Sequence, residues 1–253
     1  LYLSVPNLLS PVAATFYSFL MFIHTLLSKK TLKKSTAMIA VSDFVKNKLV
    51  SNGLNPGNIH VIYNPTLIKS DIKTRPNAPC ILYVGRLDLE KGVEFLLKAF
   101  RKICTSIEKV KLIILGRGRR EKALRSLAKS LKIEEHVKFL SKVSNDQLLR
   151  LYESSTLVVV PSIWAEPFGI VVAEAIMCNR PVVASNVGGL SELVSSEVGV
   201  LVPPGDSESL AEGILSMISN RSSLDTSSLR QKFSSDYVAS QYLTVIKSVS
   251  RKD

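Results

Sequence analysis

Six uninterrupted apolar runs punctuate the middle of the chain: CILYV (80–84), VKLIIL (110–115), HVKFL (136–140), TLVVV (156–160), PVVAS (181–185) and GVLVP (199–203). Each is five or six residues long, the length of a strand. Between them lie segments with helical spacing of apolar positions, at 90–107, 119–131, 145–154, 169–178, 190–195 and 207–219. Runs that are apolar on both faces, rather than alternating, mark parallel strands covered on both sides. Strands alternating with helices of this length predict an α/β domain with a doubly wound parallel sheet.

Upstream, AMIAVS predicts a short strand, DFVKNKLVSNG a helix ended by Gly53, and HVIYNP a further strand stopped by Pro65. Residues 68–79 are polar, contain Pro76 and Pro79, and predict a linker. Residues 222–228 predict a serine-rich loop, and 229–249 have helical periodicity and are expected to pack across the domain. Three units follow: 1–74, 75–220 and 221–253. Residues 12–27 carry no formal charge and are followed by Lys29, Lys30, Lys33 and Lys34. The run is shorter than the ~20 residues of a membrane span and lacks the basic start of a signal peptide. A helix buried against another domain is the first reading, an interfacial helix with a basic collar the second, and a span the last. The sequence begins at Leu1 rather than Met, and a segment upstream is expected.

Composition narrows the class. Hydrophobic residues make up 46%, enough for a substantial core, and charged residues 21%, which excludes disorder. The formal net charge of +12 favours anionic partners. No nucleic-acid motif accompanies that charge, so nucleic acid is not expected as a partner. Cys80, Cys104 and Cys178 are odd in number and widely spaced, which fits a reducing, cytoplasmic location without disulfides. His24, His60 and His136 have no metal-ligand spacing, and neither a metal nor another cofactor is expected.

Open parallel sheets bind ligands beyond the carboxyl ends of their strands, so the loops there carry the candidate chemistry. In GRLDLEKG (85–92), Arg86 and Lys91 stand at the expected start of a helix, where cations oppose the macrodipole unless an anion is held. Two solvated surface charges would look the same in sequence. In LGRGRRE, Gly116 and Gly118 suit a close backbone approach, but Glu121 stands where a dinucleotide fingerprint needs its third glycine. The densest signal is PSIWAEPFGIVVAEAI. Glu166 precedes the helix, Pro167 fixes the turn, and Glu174 lies among apolar neighbours, where a carboxylate must be paired or hydrogen-bonded. A buried salt bridge or a grip on a diol such as ribose would each account for Glu174. Eight residues of helical rise separate the carboxylates by about 12 Å, beyond the ~5–9.5 Å of a hydrolase pair. Trp164 is expected as a packed loop residue.

The spacing Glu166-x(7)-Glu174 within EPFGIVVAEA, with GRLDLEKG upstream and NVGGLSELV downstream, resembles the retaining glycosyltransferases of family four. The resemblance runs from about residue 37 to the C-terminus. It implies a GT-B fold: a Rossmann-like sheet domain with the remnant of a second. It implies transfer of a sugar from a nucleoside-diphosphate sugar, with retention at the anomeric carbon and no metal. Catalytic roles fall on Glu166, beside the donor sugar, and on Arg86 and Lys91, which hold the diphosphate. Glu174 would hold the ribose. The amides of Phe168, Gly169 and Ile170 would position sugar and phosphate, and Gly85, Gly116 and Val143 would border the nucleotide. Gly188, Gly189 and Glu192 match a further segment, read as setting a loop and capping its helix. Ser141 stands where the family often has glycine, and His24 does not match the family's histidine near the reacting carbon. A glycan or lipid-linked acceptor at a membrane face is the expected partner. A donor-binding or regulatory subunit of a split transferase is the alternative.

Overall fold

The computed structural model describes residues 30–71, 76, 78–219 and 226–250. Among these, a small unit, β1 (Met38–Ala40), α1 (Asp43–Ser51) and β2 (Ile59–Val61), forms a two-stranded parallel sheet. Ala40, Leu54 and Ile59 make its core.

The larger unit runs β3 (Cys80–Val84), α2 (Val93–Ser106), β4 (Lys111–Leu115), α3 (Glu121–Ser130), β5 (Val137–Leu140), α4 (Asn145–Glu153), β6 (Leu157–Val160), α5 (Ile170–Met177), β7 (Val182–Ser185), α6 (Leu190–Leu193), β8 (Gly199–Val202) and α7 (Ser207–Ser219). Its six strands are all parallel, in the order β5-β4-β3-β6-β7-β8. The strands are uniformly apolar because alternate residues feed two separate cores. Ile81, Tyr83, Leu157 and Val159 face the layer of α2, α3 and α7. Leu82, Val158 and Val160 face α4, α5 and α6. Such two-sided burial is what closed off the alternating pattern of an exposed sheet face.

The C-terminal stretch is two helices, α8 (Ser227–Lys232) and α9 (Ser235–Ser250), rather than one. The break falls at Phe233, which is fully buried in the second core and stacks near Tyr63, at 5.9 Å between ring centroids. Its carbonyl accepts from the Thr66 amide at 3.1 Å. Arg230 donates to the Ser70 carbonyl and to Asp71. The returning chain is therefore fastened to the outgoing linker. The second strand of the small unit is also shorter than expected, ending at Val61.

Strand order reverses between β3 and β6. The loops that follow these two strands diverge there and leave a crevice at their carboxyl ends. Among the described residues no helix is long and apolar enough to cross a membrane. The apolar run 12–27 and His24 lie outside the described residues.

Candidate functional site

The two loops at the reversal point are locked together through a glycine. Gly92 has a left-handed backbone (φ +66°), and a Cβ there would sit 1.9 Å from the Pro161 carbonyl oxygen. That close approach corrects the expected helix start at Glu90. Residues Leu89–Lys91 form a 3₁₀ turn, Gly92 reverses the backbone, and α2 begins only at Val93. Lys91 thus stands on the turn before the helix. The Ile163 amide also donates to the Glu90 carbonyl at 3.0 Å, joining the β6 loop to the β3 loop.

This junction brings Lys91 and Glu166 into contact. Lys91 Nζ lies 2.5 Å from Glu166 Oε1, with both side chains mostly buried at 20% and 13% exposure. Ser162 Oγ donates to the same oxygen at 2.5 Å. Arg86 lies at the opposite lip and is 62% exposed. Its guanidinium spans Asp88 at 2.6 Å and Glu90 at 2.8 Å. Asp88 also accepts from the Arg119 amide at 3.1 Å, tying this loop to the one after β4. Burial, and next the charge of Glu166, push the Tyr83 phenol well above its ordinary range. It stays neutral and donates to the Arg86 carbonyl at 2.7 Å.

Beyond Arg86 opens a cavity of about 430 Å³ at the carboxyl ends of β3, β4 and β5. Val84, Leu115, Val143 and Leu148 give it an apolar lining, with Gly85, Gly116 and Ser141 on its walls and Arg117 and Lys142 at its rim. The Gly116 backbone approaches Gly85 so closely that a Cβ would lie 1.8 Å from the Gly85 carbonyl. Volume and lining are in the range of a small-molecule site.

On the other side of Lys91 the chain enters α5. Gly169 is its left-handed N-cap at φ +106°. The amides of Phe168, Gly169 and Ile170 have no acceptor among the described residues, and they stand at the positive end of the helix. Because α5 starts at Ile170, the helical rise applied to the whole Glu166–Glu174 interval holds only for its second half, about one turn. Glu174 has no ion pair among the described residues. It accepts from the Tyr152 hydroxyl at 2.6 Å instead. Desolvation raises its pKa, and the hydrogen bond from Tyr152 partly offsets that rise.

Sequence reasoning missed Tyr152, Ser162, Asp88 and Glu90 as partners. Tyr152 occupies an ordinary apolar position of α4, and the others carry no pattern that separates them from surface residues. Trp164, expected to be packed, is 41% exposed. Glu192 caps a different helix from the one expected. Its carboxylate accepts from the Asp43 amide at 2.8 Å and from the Phe44 amide, both at the start of α1. Among the described residues no group of three or more His, Cys, Asp or Glu side chains is arranged to hold a metal ion.

Residues 66–235 match the family model "Glycosyl transferases group 1". An uncharacterized glycosyltransferase of Methanocaldococcus jannaschii is 35% identical over 231 residues, covering 86% of this chain and 58% of that protein. The phosphatidyl-myo-inositol mannosyltransferase of Mycobacterium leprae is 37% identical over 142 residues, covering 55% and 37%. Among solved structures, Anabaena HepE in complex with UDP and glucose superimposes with a TM-score of 0.77 at 24% identity, over 88% of this chain and 66% of that one. The chain thus spans less than two thirds of the length of each. The fold is that of the GT-B glycosyltransferases. On the extent of the family match and its identity to the archaeal relative, the chain belongs to the group 1 glycosyl transferases.

Proposed function

We propose that this chain binds a nucleoside-diphosphate sugar across the β3–β6 crevice and forms the donor half of a retaining glycosyltransferase. The observation that carries the reading is the row of chemistry along that crevice. Arg86 lines the apolar cavity, Lys91 on the same loop meets Glu166, and the open amides of Phe168, Gly169 and Ile170 follow Glu166 in the chain.

The base would enter the cavity bordered by Gly85, Gly116 and Val143. Glu174, held by Tyr152, would accept from the ribose hydroxyls. Arg86 and Lys91 would exchange their carboxylate partners for the diphosphate, assisted by the amides of Phe168, Gly169 and Ile170. Glu166 would take a hydroxyl of the donor sugar. During transfer the bond from the anomeric carbon to the diphosphate oxygen breaks, and an acceptor oxygen bonds to that carbon on the same face. The acceptor's proton leaves with the nucleoside diphosphate or to solvent. Fixed cations aimed at the departing diphosphate stabilise the charge that develops there, so no metal is required.

Transfer is proposed for the whole protein, and donor binding for this chain. HepE was solved with UDP and glucose, which makes UDP-glucose the first donor to try. A lipid-linked acceptor is favoured by the net charge of +12 and by the mannosyltransferase relative. The test is calorimetric titration of the full chain with UDP, GDP and ADP and their hexose esters, with and without EDTA, beside Glu174→Ala. Saturable binding of one nucleotide, EDTA-insensitive and weakened at least tenfold in the variant, is expected. A folded sample that binds none of them would sink the reading.

A further inference from the structure

Glu166 and Pro167 are held from outside their own loop on two consecutive carbonyls. The Glu166 carbonyl accepts from the Gly189 amide at 2.7 Å. The Pro167 carbonyl accepts from Ser42 Oγ at 2.6 Å, across 125 residues of chain. Ser42 is fully buried and is the N-cap of α1, where its oxygen also accepts from the Val45 amide at 3.0 Å. A hydroxyl has a single proton, and here it is committed to the Pro167 carbonyl.

The two outside holders are themselves joined. Glu192 lies three residues beyond Gly189 and takes the amides of Asp43 and Phe44, immediately after Ser42. Glu192 and Ser42 together supply acceptors for the first three amides of α1, groups that every helix leaves unsatisfied. The contacts therefore close a ring: Glu166 carbonyl, Gly189 to Glu192, α1 N-terminus, Ser42, Pro167 carbonyl. The ring has no slack. A Cβ on Gly188 would lie 2.4 Å from the Glu166 carbonyl oxygen. Tyr63, just past β2, reinforces it by packing on Phe168 at 5.5 Å between ring centroids.

We infer that Ser42 and Glu192 are positioning residues that hold the Glu166–Pro167 turn, so that the small β1-α1-β2 unit sets the geometry of the sugar-binding end of the crevice. This rests on the donor-site reading above for its functional consequence, but not for its structural one. The nucleotide-binding end is fastened by other contacts, those of Asp88 and Gly116, so loosening the ring separates the two ends. A cap that served α1 alone would leave the turn untouched when removed.

Residue-resolved amide exchange on the full chain tests this in Ser42→Ala, Glu192→Ala and Ser42→Thr, each measured at the same interval below its own unfolding midpoint. The probes are the amides of Ile163, Val172 and Gly189, each bonded to a carbonyl of the crevice loops. At least fivefold faster exchange at these three is expected in both alanine variants, with Leu87 and Leu124 unchanged and Ser42→Thr close to the parent. Acceleration confined to 43–47, or equal at every amide, overturns the inference. A second readout is affinity. The alanine variants are expected to lose at least tenfold for a nucleotide sugar such as UDP-glucose and less than twofold for UDP; equal losses for both overturn it. If the parent chain binds no nucleotide, the donor-site reading falls, while amide exchange still decides the ring.

Discussion

Glu174 is a carboxylate whose charged form the fold disfavours. Its pKa is raised above 4.5, by desolvation first, so the folded chain binds that proton more tightly than the unfolded chain. The stability it contributes is full at acid pH and is lost as pH rises through the folded value. The difference in stability between the parent and Glu174→Gln should therefore shift in favour of Gln between acid and neutral pH, as followed by urea unfolding. If Glu174 holds the ribose as proposed, ligand binding runs the other way, because a diol donates to the ionised carboxylate. Donor affinity should fall on acidification at a pH above that of an ordinary glutamate, and the Gln variant, uniformly weak, should lack that step. Tyr152→Phe should cost about 1.5–3 kcal/mol at neutral pH, the size of a lost hydrogen bond to a charged partner. Lys91 and Glu166 are a second coupled pair. Removing either leaves a largely buried charge, so a double-alanine cycle should show coupling of about 1–3 kcal/mol in unfolding free energy.

At the scale of elements, the six main strands were legible to within about a residue, because two-sided burial writes an unbroken apolar run. The expected start of α4 at residue 145 was met, and the structure supplies the reason: Ser144 and Gln147 form a capping box. The late start of α2 was not, since it depends on Gly92 meeting Pro161 from a loop almost 70 residues away. The split between α8 and α9 was hidden for the same reason, as Phe233 keeps helical spacing while its carbonyl serves the linker. Candidate residues on the strand-following loops could be named from motifs, but their partners in the fold could not. Whether Arg86 meets Asp88 or a solvent ion is a matter of loop conformation, and local sequence carries no trace of it. Gly92→Ala should cost more than about 2 kcal/mol, from the forced backbone and the clash together. It should also weaken donor binding, because the loops bearing Lys91 and Glu166 would be pushed apart; thermal unfolding and titration check both.

At the scale of the whole molecule, the described residues pass between the two units twice, once through the linker after β2 and once through α8. The aromatic rings of Tyr63, Phe168 and Phe233 meet where those passages cross, with centroids 5.5 to 6.1 Å apart. Phe233→Ala removes a fully buried side chain from that crossing and should cost about 3–5 kcal/mol by urea denaturation. It should also expose the linker and α9 to proteolysis before the six-stranded sheet is attacked.

The contacts of Gly92 with Pro161, Gly116 with Gly85 and Gly188 with Glu166 have a consequence for how such a protein drifts over generations. Each is a seam of main chain against main chain, and any amino-acid replacement there adds a carbon where no room exists. A saturation library scored for foldedness should leave those three columns nearly blank. Arg117 and Lys142, exposed at the cavity rim, should accept almost anything. If the cavity takes the donor's base as proposed, preference for a new donor would evolve on the rim, while the seams stand still.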